Sequence, residues 1–550
     1  MKTEKPLDHR PPLRAALEAS VAAFLALAAA AGPAAGQSVE LVVPDSYMCC
    51  GGTAALVAFS ASGEYVAFSS ASAGLVPGDT NGIPDVFVYR RGTGAIVRVN
   101  VTSAGAQAID GIPYYVSLSA TGRFVVFSSS STNLVPGDTN GTIDVFRHDR
   151  DADGDGVFDE PGAISTIRVN VTSAGAQANG YGQIGPQAVS ADGNRIAFYG
   201  SATNLLSGPD ANGAAALDCF VRDVAAGTTT LVSSTAAGVQ GNGTSTEPVI
   251  SADGAFVAFW GQGSNLVPGT NFLDSKVLRK NLATGAIELV ASLGWRPTLS
   301  ETGQRIAFAS TAANLVPGDT NGLADVFVRD FATGTVLRAS VSSAGAQANA
   351  EADWPRISEN GNVVVFTSQA TNLVAPAPGA IVHLYARDLS TGTTLLVDRS
   401  ASGTYSNNGN SHPIPSCTGA DVLFQSAAGN LGPAVAAGGW HLYVRDEVFA
   451  GPGGGPGGTG PCACVPSPPP PPPPPPPGPP GVDDNPVAFS VNGPVDFHTD
   501  GLASPRGGGL PSGPFAVRGP LVPQAMGIPT ARPGDVADYD AVPTPAEAEL

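Results

Sequence analysis

From about Ser38 to Asp446 the chain is built of short apolar runs rich in Val, Phe, Ile and Thr, broken by turns that contain Gly, Asn and Asp. Runs of that composition, bounded by turn residues, read as β-strands, and the residue content excludes helices. One unit can be followed from Pro113. "PYYVSLS" predicts a first strand, Thr121 and Gly122 a turn, "RFVVFSSS" a second strand and "DVFRHD" a third. In a later unit "FATG" at Phe331 to Gly334 marks the next turn and "TVLRASVSS", from Thr335, a fourth strand.

The unit repeats. The pattern S-A-[DST]-G-x-x-[VI]-[AV]-F is anchored at Phe68, Phe127, Phe198, Phe259, Phe308, Phe366 and Phe424, which gives seven repeats. The anchors are separated by between 49 residues (Phe259 to Phe308) and 71 residues (Phe127 to Phe198). That period is too long for helical repeats and suits one propeller blade of four strands. The predicted fold is all-β, a seven-bladed β-propeller of four-stranded antiparallel blades. The last repeat stops at its third strand, "HLYVRD" at His441 to Asp446, while "SVELVV" at Ser38 to Val43 is an orphan strand ahead of the first repeat. Pairing the two would close the ring and leave no open edge.

Residues 1–36 combine Lys2, Lys5, Arg10 and Arg14 with the apolar run "VAAFLALAAAAG" and the small-residue stretch "PAAG", the pattern of a secretory signal peptide cut near Gln37. The propeller is expected over 37–450. A Gly/Pro-rich linker with an unbroken proline run at Pro468 to Pro477 is expected over 451–481, and a disordered tail over 482–550. No segment of the mature chain has about 18 uninterrupted apolar residues, as a membrane-spanning helix would need.

The repeated "SADG-x-x-x-AF" at Ser190 to Phe198 and Ser251 to Phe259, with "DVFVRD" and "ATG" at Asp325 to Gly334, resembles the TolB-type, WD-repeat-like propeller family. The resemblance covers about Ser38 to Asp446 and implies a periplasmic or extracellular protein that works by binding. The chain departs from the family in having seven repeats instead of six and a proline-rich tail.

Net charge narrows the partners. At −19 the chain would repel nucleic-acid phosphates, and no Lys/Arg cluster overrides that locally, so nucleic acid is excluded. A protein or glycan of the cell envelope, bound by a monomer, is the expected partner. Six cysteines leave fifteen pairings open. A bridge between Cys49/Cys50 and Cys462/Cys464 would tie the two ends of the repeat region, while Cys219 takes the place of Val86 as a small buried residue. No Gly-x-Ser-x-Gly elbow occurs, the six histidines form no metal-ligand pattern, and the Arg-Asp pairs that end third strands read as turn and blade-to-blade contacts. The expectation is a protein that is not an enzyme. The alternative is a polysaccharide lyase or glycosidase, for which the sequence offers no carboxylate pair outside the repeated turns.

Those turns carry the remaining chemistry. "LVPGDTNG" occurs three times unchanged and joins second to third strands. Asn-Gly is a strong hairpin signal, but the turn does not require the series Asp79, Asn81, Asp85, repeated as Asp138, Asn140, Asp144 and as Asp319, Asn321, Asp325. Hard oxygen donors around a Gly bend are how calcium loops are built. Equally, each Asp could accept backbone N–H groups and organise the loop without metal. A second acidic loop, "DADGDGVFDE" with Asp151, Asp153, Asp155 and Asp159, has the spacing of a calcium loop and points to calcium more directly. The loops from second to third strands and from fourth strands to the next blade are both long, and both are expected on one face, the default binding surface.

Overall fold

The computed structural model describes residues 38–42, 57–206, 208–213, 215–272, 274–432 and 439–449. The expected signal peptide, linker and tail, and the cysteines Cys49, Cys50, Cys462 and Cys464 lie outside the described residues. Twenty-eight strands form seven four-stranded antiparallel sheets. In six blades the strands follow chain order, as in Val57–Phe59, Tyr65–Ser70, Asp85–Arg90 and Ala95–Arg98 of blade one. The seventh takes its outer strand from the N-terminus, with Val39 opposite Arg445, Glu40 opposite Val444 and Leu41 opposite Tyr443. The ring therefore closes as the sequence predicts.

The anchor phenylalanines explain why each blade holds its register. All seven are fully buried. In six blades the anchor lies against an aromatic residue on the third strand, from Phe198–Phe220 at 5.5 Å to Phe308–Phe327 at 5.9 Å between ring centroids. Cross-strand aromatic pairs of this kind add about 0.5–1.5 kcal/mol beyond the area they bury. Cys219 is free and buried among apolar neighbours, as its alignment with Val86 requires.

The turns between first and second strands make a closed ring of their own. The Ala61 N–H donates to the Ala120 carbonyl, Ala120 to Ala191, Ala191 to Ala252, Asp253 to Glu301, Glu301 to Glu359, Asn360 to Cys417, and Cys417 back to Ala61, at 2.7–3.3 Å. Each blade thus hands one backbone hydrogen bond to the next around the axis. Ala61, Ala120 and Cys417, from three of these turns, pack together with Ala191 against them.

Two expectations about strands and turns need correction. The fourth strand at Thr335 ends at Arg338 rather than running through "ASVSS". The Val326 N–H that would continue the ladder is taken by the Ser340 hydroxyl at 3.1 Å, and Val341 pairs back with Gln347 in a small loop. Asn-Gly in "LVPGDTNG" is not a hairpin turn. Of the two residues of the dipeptide only the glycine (Gly82, Gly141, Gly322) takes positive φ, and the Asn81 carboxamide oxygen instead accepts the Ile83 N–H at 3.1 Å, an Asx turn within a long loop.

Candidate functional site

The two long loop sets do lie on one face and interlock there. The Asn81 carboxamide donates to the Ala108 carbonyl, and Asn140 and Asn321 repeat the contact to Ala178 and Ala348, at 3.0–3.1 Å. At five junctions a second asparagine then clamps the next blade. Asn133 accepts from the Ile109 N–H and donates to the Gln107 carbonyl, and Asn204, Asn265, Asn372 and Asn430 do the same to their neighbours. The recurring "NL" dipeptide after the second strand was the visible signal for this clamp.

Inside this lattice the expected calcium ligands face an arginine. Arg98 Nη1 lies 3.3 Å from Asp79 and 3.1 Å from Asp85. Arg168 bridges Asp138 and Asp144 at 3.2 and 3.1 Å, and Arg338 bridges Asp319 and Asp325 at 3.4 Å each. Asn81 turns its N–H groups, not its oxygen, toward Asp85 at 3.1 Å, and Asn140 does so toward Asp144 at 3.0 Å. Gln177 and Gln347 donate to both carboxylates of their pairs. Burial raises Asp79, Asp138 and Asp325 above the ordinary carboxylate range, and the guanidinium opposes that shift. The arginine stands second in "VRVN", "IRVN" or "LRAS", in the same three blades as the full motif. Blade three, with Leu231 at that position, has no guanidinium there, and Gln240 donates to Asp210, Asn212 and Asp218 while Ser233 also donates to Asp218.

The insertion of blade two behaves differently. Asp151, Asp153 and Asp155 bring ligand oxygens within 4.8 Å of one another and could hold a metal ion. Asp159 is not with them: Arg150 holds its carboxylate at 2.5 Å. Asp151 is buried and close to Arg123, whereas Asp153 and Asp155 are exposed.

A third constellation escaped the sequence reading altogether. First strands of blades four to seven, and of blades seven, one and two, contact one another in succession around the axis, which places their side chains along the channel. In blades four to seven each first strand carries a β-bulge at the same place. At each bulge a non-glycine residue sits near φ +50°: Glu247, Arg296, Trp354 and His412. A proline follows every one of them, although a residue before proline ordinarily favours extended backbone. Such strain persists only where the surroundings enforce it, and bulges of this kind re-aim side chains.

The re-aimed side chains meet. Arg296 pairs with Asp353 on the next blade and lies 3.8 Å from the Trp354 ring centroid. The Trp295 indole donates to Asp353 at 3.0 Å, and the Trp354 and His412 rings lie 4.6 Å apart. Behind them is Arg356, 9% exposed, whose guanidinium makes one hydrogen bond, to the Pro355 carbonyl at 3.4 Å. Burial lowers Arg356 to about 10, and Glu247, two blades away, opposes that shift. Burial, then Arg356 and Arg296, lower His412 to about 3, so its imidazole is neutral at ordinary pH. Its Nδ1 faces the Ser411 hydroxyl at 3.0 Å, and its Nε2 is buried without a hydrogen-bond partner among the described residues. The readable signal was the series "TEP", "WRP", "DWP" and "SHP": polar or aromatic residues before proline in strands that must be buried. Glu247 and Asp353 are carboxylates outside the repeated turns, which corrects the expectation that none could be nominated.

No family model and no curated protein matches the chain. Among solved structures it is similar to an oligogalacturonate lyase in complex with manganese, at 12% identity over 74% of this chain and 93% of that one, with a TM-score of 0.43. It is also similar to a putative TolB from Agrobacterium tumefaciens (16%, 51% and 78%, TM-score 0.30). A third similar structure is an acylaminoacyl peptidase from Pyrococcus horikoshii (11%, 72% and 52%, TM-score 0.41). A TolB structure is among those it is similar to, and the fold itself is the seven-bladed propeller that the repeats suggested. Two of these three neighbours are named as enzymes, so the expectation that the chain is not an enzyme is withdrawn. No helix among the described residues is long and apolar enough to cross a membrane.

Proposed function

We propose that the protein is exported to the periplasm or cell exterior and binds a protein or glycan of the cell envelope, as a monomer, on its loop face. The observation that supports this most is apolar exposure on that face. Ile109, Val239 and Phe272, all in its loops, are 65%, 57% and 49% exposed. Large side chains left in water on a face otherwise locked by hydrogen bonds are suited to anchor a partner. Calcium at Asp151, Asp153 and Asp155 stiffens the blade-two insertion. Capture from an envelope extract tests the partner reading. The wild-type protein should retain a partner that a triple variant, Ile109→Asp, Val239→Asp and Phe272→Asp, does not, and equal capture by both would end it.

A second reading, a polysaccharide lyase or glycosidase, gains support from Glu247 and Asp353, two carboxylates whose charges both reach Arg356. Turnover of an envelope polysaccharide that is lost in Glu247→Gln would favour it.

A further inference from the structure

The axial channel gathers two guanidinium groups, two carboxylates, two indoles and a neutral imidazole, and their pairing is unequal. Asp353 is committed to Arg296, to the Trp295 indole and to the Trp354 N–H. Arg356 has no carboxylate within ion-pair distance among the described residues, and it uses one of its five N–H donors on a long backbone contact. Its other guanidinium nitrogens are not among the buried unpartnered atoms, so they keep some contact with solvent and an acceptor can reach them. The His412 Nε2, in a residue 4% exposed, is buried with no partner in hydrogen-bonding geometry, although the Gln425 side chain lies near enough to act on the ring. The two residues sit on the inner strands of adjacent blades, within each other's field, and the bulge that holds His412 at φ +51° fixes where its ring lies.

We propose that this part of the channel is a receptor for a single carboxylate group, which Arg356 grips through its free guanidinium N–H groups and to which the His412 Nε2–H donates as a second polar contact, in the tautomer whose Nδ1 accepts from the Ser411 hydroxyl. The planar fork of arginine matches the two oxygens of a carboxylate. Glu247 sets the charge limit, because its field reaches Arg356 and would repel the second charge of a phosphate. A cation is disfavoured by Arg296 and Arg356 together. The carboxylate can belong to an acidic sugar or to the C-terminus of a peptide. Neither the loop-face partner nor the blade-two metal is needed for this site.

Titration calorimetry on the full chain at pH 7 tests it, with glucuronate and N-acetylglycine as carboxylate probes and glucose and inorganic phosphate as controls. Tryptophan fluorescence reports the channel through Trp295 and Trp354. At least one carboxylate probe should bind and change the fluorescence, and which of the two binds names the source of the group. Glucose and phosphate should bind at least tenfold more weakly. Arg356→Met should lose about tenfold or more in affinity, Arg356→Lys less, and His412→Asn about fivefold, while the Ile109→Asp variant binds as the wild type does. The proposal is overturned if neither carboxylate binds, if a control binds as tightly, or if a folded Arg356→Met or Arg356→Lys protein binds with wild-type affinity. Melting curves of each variant establish that it is folded, and Arg356→Lys serves where Arg356→Met is not.

Discussion

Arg91 Nη2 donates to the Asp446 carboxylate at 2.6 Å, joining blade one to the end of the last described strand across 355 residues of chain. The same guanidinium reaches Glu40 on the N-terminal strand at 2.7 Å and the Gly63 carbonyl at 3.1 Å. It therefore ties both partners of the closing strand pair to the neighbouring blade. Arg91→Ala leaves three half-buried carboxylates, Glu40, Asp446 and Asp421, without this cation and should cost about 2–3 kcal/mol, read by urea unfolding. An effect below about 0.5 kcal/mol would show that the backbone pairing of Val39 to Leu41 carries the closure alone.

The turn glycines separate into two classes. Gly193 has φ +73°, and a Cβ there would lie 1.9 Å from Phe124 Cδ2. Gly137 has the same φ but open space around it. Gly137→Ala should cost the left-handed penalty alone, about 1–2 kcal/mol. Gly193→Ala adds a displaced blade-two ring and should cost clearly more, on the order of 3–4 kcal/mol. Thermal melts of the two variants side by side check the difference.

Acid should weaken the fold through buried histidines. The Thr166 hydroxyl donates to the Val101 carbonyl at 2.5 Å and so accepts from His148 Nδ1 at 2.9 Å, while burial lowers His148 to about 4. The unfolded chain, with His near 6.5, takes up the proton first. Stability from His148 is therefore complete above pH ~6.5 and lost as pH falls toward 4, on the order of 2 kcal/mol by pH 5. His148→Gln should flatten the pH dependence of urea unfolding between pH 7 and 5, and His412, lowered to about 3, should show the same sign.

Calcium should raise the melting temperature through the blade-two insertion. At ten times a dissociation constant of roughly 10⁻⁴–10⁻³ M, one site stabilises by about 1.4 kcal/mol. Asp153→Asn with Asp155→Asn should abolish the shift seen between calcium and chelator. The "LVPGDTNG" loops offer a complementary test. Removing the guanidinium in Arg168→Gln frees Asp138 and Asp144 for a metal, so that variant should gain calcium-dependent stabilisation. A wild-type melt indifferent to chelator would remove calcium from the insertion.

The sequence by itself determined the blade, the number of blades and the way the ring closes. Those follow from short-range patterns: an anchor phenylalanine at a fixed place in each unit, a glycine where a turn needs positive φ, and one strand missing at one end and spare at the other. It also showed which loops are long and acidic. Only the tertiary structure decided what the acidic side chains face. Arg98, Arg168 and Arg338 lie on fourth strands, 13 to 24 residues beyond the last Asp of the motif, and nothing local marks them as partners. The channel was hidden more deeply. Glu247, Arg296, Trp354 and His412 come from four blades, each separated from the next by about one repeat of chain, and a bulge with positive φ turns them toward one another. Linear pattern records which face of a regular strand a side chain takes. A bulge breaks that alternation, and closure of the ring, which brings the inner strands together around one axis, is what makes the side chains it displaces neighbours.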